Sequence, residues 1–153
     1  CSSDLYREFC ASYRKTVMNS DELIVQIEVP VPAESACHYW RKVGTRLAHA
    51  TSKVMIAGMG QLDDNRLTVA RVGIGAVADR PIRLEAVEEL LLSGPLESPM
   101  IEKAKNLTLS SIEPIDDVRS SATYRRTVSA NLVGSFIKQL LAKLEGDSTT
   151  FDS

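Results

Sequence analysis

The segment around which this chain is organised reads WRKVGTRLAHATSKV, residues 40–54. It begins as the end of a strand, passes through a loop of small residues and returns to an apolar run, which predicts two strands joined by a loop. Four of its residues are cationic: Arg41, Lys42, Arg46 and Lys53. Because Gly44 and the small residues after it let a backbone approach closely, Lys42 and Arg46 can lie against an anionic group. A solvated basic hairpin is the alternative that the residues alone leave open.

Strand patterns surround this segment. Apolar and polar residues alternate over 23–29, which predicts a strand that the two following prolines end. A second strand is predicted over 34–41. Two more, over 53–61 and 66–77, are separated by the turn composition of residues 63–65 and form an antiparallel hairpin.

Helical spacing begins after Pro81. Leu84, Val87 and Leu91 fall on one helical face, and the glutamates at 85, 88 and 89 are expected on the opposite, exposed face. A second helix is predicted from about Ser98.

A third and longer helix follows the stripe from Val128 to Leu144. Ser120 or Ser121 can cap its N-terminus, where the carboxylates of Asp116 and Asp117 are also favourable. Arg125 and Arg126 lie early in this helix, so we expect an intramolecular salt-bridge network, with a subunit contact as the alternative.

Strands come first and helices follow, an order typical of the α+β class. We therefore predict an antiparallel sheet of three to four strands followed by three helices packed on one of its faces. Residues 1–20 are assigned to an N-terminal lead-in, 21–146 to the domain and 147–153 to a polar tail that is expected to fray.

Composition narrows the function. A chain of 153 residues with 44% apolar and 25% charged residues is typical of one globular domain. A net charge of -2 argues against nucleic-acid binding, and no apolar run reaches the roughly 20 residues that span a bilayer. The three cysteines, Cys1, Cys10 and Cys37, have neither metal-ligand nor disulfide-framework spacing. Reduced thiols suit a cytoplasmic protein.

Familiar catalytic patterns are weak. His38 and His49 do not form a triad or a zinc site without further ligands, so we assign no catalytic residue and no metal ligand. Gly73-Ile74-Gly75 lacks the third glycine of a dinucleotide fingerprint and precedes no helix directly, so it is better interpreted as a strand end and turn.

Four stretches, taken together and in order, resemble the C-terminal domain of the flavin-containing subunit of molybdenum hydroxylases, the xanthine dehydrogenase and carbon monoxide dehydrogenase family. These stretches are residues 13–16 with 21–30, then 40–54, 73–81 and 116–126. The resemblance spans nearly the whole chain and implies the same fold of strands followed by three helices.

The resemblance also implies a chemistry. In the family, electrons pass from a molybdenum cofactor through two 2Fe-2S clusters, which lie on partner subunits, to FAD and then to NAD or another acceptor. The C-terminal domain closes one side of the flavin site, and Lys42 corresponds to a lysine beside the ring in some relatives. Thr45, Arg46 and His49 belong to the same loop and are the other cofactor-binding candidates. Some relatives carry an acidic residue at position 49, and an arginine is expected at Leu47 in close bacterial relatives.

Most of the FAD contacts are expected in segments absent from this chain, because the family's glycine-rich pyrophosphate loop is not found in it. The implied partners are the FAD-binding N-terminal region of the same subunit, to which residues 1–20 would lead, and the iron–sulfur and molybdenum subunits. The isolated chain is therefore expected to be inactive.

Two other functions stay open. A docking or assembly module of the same fold would make no cofactor contact, and a stand-alone small-molecule enzyme is the least supported. The substrate is equally open, because fold resemblance does not fix it. Xanthine, an aromatic thioester, nicotinate and carbon monoxide are all compatible.

Overall fold

A computed structural model describes residues 5–46, 50–63 and 66–146. The chain enters through a short helix, α1 (Tyr6–Phe9), and a small antiparallel pair, β1 (Cys10–Ser12) with β2 (Lys15–Thr16). Residues 17–36 then form neither helix nor strand. The strand predicted over 23–29 is therefore wrong: its apolar residues are exposed, and no described strand pairs with it.

An antiparallel sheet follows, with strands paired in sequence order. The strands are β3 (Cys37–Val43), β4 (Val54–Asp63), β5 (Arg66–Gly75) and β6 (Ile82–Arg83). The antiparallel sheet predicted from the sequence is confirmed for the strands expected over 34–41, 53–61 and 66–77, with ends shifted by a few residues, and its fourth strand is β6 rather than the segment 23–29. β3 begins later than predicted because the Ala36 N–H donates to the Ala33 carbonyl at 2.9 Å, which makes a turn just before it.

Three helices lie on one side of this sheet: α2 (Glu85–Leu92), α3 (Met100–Ser111) and α4 (Ala122–Leu144). α4 packs on β3 and β4, α2 packs on β5, and α3 lies against α4. Ser121 caps α4 as the sequence indicated, since its hydroxyl accepts the Tyr124 N–H at 3.2 Å. The α+β class with three helices on one face is confirmed, and the short α1 brings the helices of the described residues to four.

Glycines let α4 approach the sheet closely. A Cβ at Gly58 would lie 3.0 Å from the Phe136 ring, and one at Gly60 would lie 2.7 Å from a Leu140 methyl carbon. Phe136 and Leu140 are fully buried in the core beneath the sheet. A glycine within a strand is typical of such close approach, and at both positions a side chain of α4 occupies the space that a Cβ would need.

The predicted exposure of Glu88 is wrong, because this residue of α2 is buried. Its carboxylate accepts the Val72 N–H at 2.8 Å and is paired with the guanidinium of Arg83. β6 pairs with β5 only at Gly73 and Ile74, so Glu88 supplies the acceptor for the next strand N–H along. Helix α2 is thereby fixed to the edge of the sheet.

Candidate functional site

Strand alternation places Lys42 on the face of the sheet that the helices leave open. Tyr39 points toward the helices, because its ring centroid lies 5.9 Å from that of Phe136 in α4. Side chains alternate along a strand, so Trp40 and Lys42 point the other way. Both are exposed, Trp40 to 72%. The outward orientation of Lys42 is what a contact with a ligand on this face requires.

Residues of β4 lie directly beside Lys42 and Trp40 on this face. Lys42 pairs with Met55, which pairs with Gly75, and Trp40 pairs with Ala57. Met55 is 44% exposed and its terminal methyl would lie 3.8 Å from a Cβ at Gly75. We call this row, with Trp40 and Ala57, the open sheet face. It is an exposed surface that carries the ammonium group of Lys42 and the large side chain of Trp40.

A pocket of about 370 Å³ lies at the end of the β3–β4 connection. Its lining is polar and cationic, and consists of Thr45, Arg46, Ala50, Thr51, Val118 and Arg119. The connection folds back tightly, because a Cβ at Gly44 would lie 2.9 Å from that of Ala50. Two guanidinium groups and two hydroxyls can donate hydrogen bonds to an anionic or carbonyl-rich ligand.

The structure brings together only part of the predicted site. Thr45 and Arg46 line the pocket, whereas Lys42 does not line it and lies on the adjoining sheet face. His49, the fourth candidate, lies outside the described residues. Arg119 and Val118, which complete the pocket, were not predicted as site residues. The stretch 116–126 is part of the family resemblance, but no local pattern indicates that it lies against residues 45–46 and 50–51.

Arg125 fixes the wall of this pocket. It is buried, and its NH1 donates to the carbonyls of Lys53 and Ala76, both at 2.7 Å. Its NH2 donates to Asp117 Oδ1 at 2.8 Å. One guanidinium therefore ties the exit of the β3–β4 connection and the end of β5 to the turn that carries Arg119.

Asp117 completes the same arrangement from the turn. Its carboxylate accepts the backbone N–H groups of Arg119 at 2.9 Å and Ser120 at 3.0 Å. These backbone hydrogen bonds, that of Arg119 first, together with Arg125, lower the pKa of the Asp117 carboxyl below its usual value. The expected intramolecular salt bridge is confirmed for Arg125, which pairs with Asp117, whereas Arg126 donates to the Leu109 carbonyl at 2.9 Å.

The structure also shows where the glycine pair Gly73 and Gly75 lies. Gly73-Ile74-Gly75 lies within β5 and pairs along its length with β4, so it is a strand end, as expected. Ala76, with φ 65°, then turns the chain away.

Within residues 5–46, 50–63 and 66–146, no cluster of His, Cys, Asp or Glu could hold a metal ion. None of the described helices is long and apolar enough to cross a membrane.

Comparison with known proteins identifies the family. Residues 39–140 match the model of the carbon monoxide dehydrogenase flavoprotein C-terminal domain. The chain is 30% identical to the glyceraldehyde dehydrogenase medium chain of Sulfolobus acidocaldarius over 125 residues, which are 82% of this chain and 44% of that relative. The chain therefore belongs to the family of FAD-binding, or medium, subunits of molybdenum hydroxylases, and the resemblance inferred from its motifs is confirmed.

Other relatives share this character. The chain is 24% identical to the carbon monoxide dehydrogenase medium chain of Afipia carboxidovorans, over 84% of this chain and 44% of the relative. It is 25% identical to a putative xanthine dehydrogenase FAD-binding subunit of Escherichia coli, over 86% and 46%. The chain thus spans about half the length of the curated relatives it matches.

A solved structure has the same fold. The chain superposes on a chain of the carbon monoxide dehydrogenase of Hydrogenophaga pseudoflava with a TM-score of 0.83 at 20% identity, over 90% of this chain and 47% of that one. That enzyme was solved in a form lacking the Mo-pyranopterin moiety of the molybdenum cofactor. At this identity the superposition establishes the fold alone.

Proposed function

We propose that this chain is part of the FAD-binding subunit of a xanthine dehydrogenase-like molybdenum hydroxylase, where it closes one side of the flavin site. Electrons would reach the flavin from 2Fe-2S clusters on a partner subunit and pass to NAD or another acceptor. The molybdenum cofactor would lie on a third subunit. Bound FAD would supply the redox chemistry, and this chain would supply one wall of its site.

The observation that carries this proposal is the position of Lys42 on the open sheet face. A planar ring can lie against the exposed side chains of Met55 and Ala57, beside Lys42. The ammonium group of Lys42 would then place positive charge beside the ring, which favours the reduced, more negative form. Thr45 and Arg46, in the pocket next to this face, would hold polar edges of the same ligand or of the acceptor.

The free thiols fit the location expected from the sequence. Among the described residues Cys10 and Cys37 are free thiols, and Cys37, the first residue of β3, is buried. Unpaired thiols are typical of the reducing cytoplasm, so we propose that the complex works there.

The proposal predicts a separable effect of Lys42→Ala in the complete flavoprotein subunit assembled with its partners. Removing a charge near the ring is expected to lower the flavin midpoint potential by about 20 mV, the equivalent of about 1 kcal/mol for a charge pair at ~4 Å in water. NAD-linked turnover should fall with it. Substrate-driven reduction of the molybdenum centre should be unchanged, because that step precedes the flavin.

Lys103→Ala is the matched control, since it removes the same charge from an exposed position of α3 on the covered side of the sheet. The flavin midpoint potential and the NAD-linked turnover of Lys103→Ala should equal those of the wild type. Equal losses at the molybdenum and flavin ends for Lys42→Ala, or a potential unchanged from that of Lys103→Ala, would remove the case for a flavin-side role.

A docking module without cofactor contact is the second candidate, and Trp40 favours it. This large side chain is 72% exposed on the open sheet face, midway along the edge strand β3, and tryptophan is frequent among the anchor residues of protein interfaces. If the face docks a partner subunit, Trp40→Ala should weaken assembly while Lys42→Ala leaves the flavin potential unchanged. Analytical ultracentrifugation and potentiometry on the same preparations separate the two functions.

A further inference from the structure

Residues 23–29, which follow the N-terminal lead-in of residues 1–20 and form no strand in this structure, have one apolar edge that nothing in the described chain covers. We call them the lead-in strand, after the pairing proposed below. Leu23, Val25, Ile27 and Val29 alternate along it, and Val25 and Ile27 are 86% and 78% exposed. The opposite side carries Ile24 and two polar residues, Gln26 and Glu28, and there Gln26 Nε2 donates to Glu28 Oε1 at 2.7 Å. The segment therefore has the alternation of a strand with one buried face.

Exposure of this kind is unusual for such side chains. Burying one Val, Leu or Ile stabilises a protein by about 1.5–3 kcal/mol, so four aligned residues represent a large unused contribution. The backbone is equally available, because the segment pairs with no strand of the described residues. An extended segment with a free backbone and one apolar face is suited to joining the edge of another sheet.

The comparisons show that the lead-in strand lies outside the matched family domain and that much of a relative's chain lies outside the match. The matched family domain begins at residue 39, so the lead-in strand lies outside it. The superposition on the Hydrogenophaga pseudoflava chain nevertheless covers 90% of this chain, more than the residues from β3 onward can supply. The fold match therefore includes residues that precede β3. Only 47% of the Hydrogenophaga pseudoflava chain is matched. A large remainder of the relative's own chain is available to pair with the lead-in strand.

We propose that the lead-in strand adds as an edge strand to the sheet of the FAD-binding region of the same subunit, outside these 153 residues. Its backbone would pair with that sheet, and Leu23, Val25, Ile27 and Val29 would enter its core. Pro30 ends the pairing because it has no N–H to donate. This inference rests on the proposed function, since it takes the chain to be part of a longer FAD-binding subunit.

Hydrogen exchange measured on two preparations tests the pairing. In the complete subunit, amides of residues 23–29 are expected to exchange at least about a hundredfold more slowly than in the 153-residue chain, because strand hydrogen bonds protect them. Equal rates in the two preparations would overturn the proposal. Protection in the 153-residue chain that grows with its concentration would also overturn it, in favour of pairing between two copies.

Paired variants test the apolar edge. Val25→Asp with Ile27→Asp should leave thermal unfolding of the 153-residue chain unchanged, because both side chains lie outside its core. In the complete subunit the same pair should abolish the slow exchange at 23–29 and reduce retained FAD. Gln26→Lys with Glu28→Lys, on the polar side, is the control and should leave both at wild-type values. A complete subunit in which the aspartate pair exchanges as slowly as the control refutes the apolar contact.

The two proposals fail in different ways. If residues 23–29 are unprotected in a complete subunit that retains FAD, the strand pairing is refuted while the flavin-wall function stands. If the complete subunit retains no FAD, the proposed function is refuted whatever the exchange rate at 23–29.

Discussion

At the scale of single residues, Arg125 shows how a buried charge can organise a site. A guanidinium removed from water is costly unless it is paired and hydrogen-bonded, and here Asp117 and two carbonyls satisfy most of it. Its Nε is the one buried side-chain nitrogen or oxygen of the described residues without a hydrogen-bond partner. The remaining contacts fix the turn at residues 117–120 in the position where Arg119 reaches the pocket.

Asp117 makes this arrangement sensitive to acid. Its pKa is lower in the folded protein than in the unfolded chain, so its stabilisation is fully present above the unfolded pKa of about 4. It is lost as pH falls through the lowered folded value. We expect Asp117→Asn to reduce the free energy of unfolding near neutral pH, with a difference from wild type that shrinks steadily below about pH 4. Urea unfolding between pH 2.5 and 7 measures this.

Asp79→Asn is the control, because Asp79 is an exposed carboxylate in the turn after β5. Its stability difference from wild type should stay near zero throughout the pH range. A difference for Asp117→Asn that is constant with pH would show that the aspartate acts through shape rather than charge.

The sequence could indicate only part of this arrangement. Arg125, Arg126 and Asp117 are close in the chain, so a local network was predictable from the position of the arginines early in a helix. The carbonyls of Lys53 and Ala76 lie 72 and 49 residues away from Arg125, and no local pattern points to them. The pocket lining of Arg119 was missed for the same reason.

At the scale of elements, one of two neighbouring strand predictions is correct and the other is wrong. The segment predicted over 34–41 forms β3 at Cys37–Val43 because β4 lies beside it, whereas residues 23–29 have no partner among the described residues. Alternation establishes that a segment can present one apolar face, but pairing depends on what the rest of the molecule supplies. Long amphipathic elements such as α4 were predictable because their partner surface is the core of the same domain.

The misplaced Glu88 has a different cause. It lies four residues after Leu84 and three before Leu91, so helical spacing places it on the buried face. The sequence interpretation gave more weight to its charge than to its position. The charge is tolerated there because Arg83 and the Val72 N–H both satisfy it.

Glu88 is expected to matter for stability. Glu88→Gln keeps an acceptor for Val72 but loses the charge that pairs with Arg83, so the free energy of unfolding should fall by about 1.5 kcal/mol, the low end for charged hydrogen bonds. Glu88→Ala should cost about 1 kcal/mol more, because the Val72 N–H also loses its acceptor. Chemical unfolding measures both changes.

Glu89→Gln makes the same chemical change on the exposed face of α2 and should shift stability by less than about 0.5 kcal/mol. If Glu88→Gln and Glu89→Gln proved equivalent, the carboxylate would not hold α2 to the edge strand.

At the scale of the whole molecule, the sheet has two different faces. Helices α2 and α4 cover one face, while Trp40, Lys42 and Met55 remain exposed on the other. Two surfaces are therefore available for contact: the open sheet face and the apolar edge of the lead-in strand. In a domain that spans about half of its relatives' length, both are candidates for contact with the other half.

The 153-residue chain is expected to bind flavin only weakly. A ring lying on the open sheet face would be covered on one side only, and the other side would stay in water. One-sided contact with an exposed surface should give a dissociation constant no tighter than about 1 mM, or about 4 kcal/mol of binding free energy. The 153-residue chain should therefore purify colourless and leave the fluorescence of added FAD unchanged at micromolar concentrations. The complete subunit should purify yellow, and flavin retained in stoichiometric amount by the shorter chain would show that these residues hold FAD by themselves.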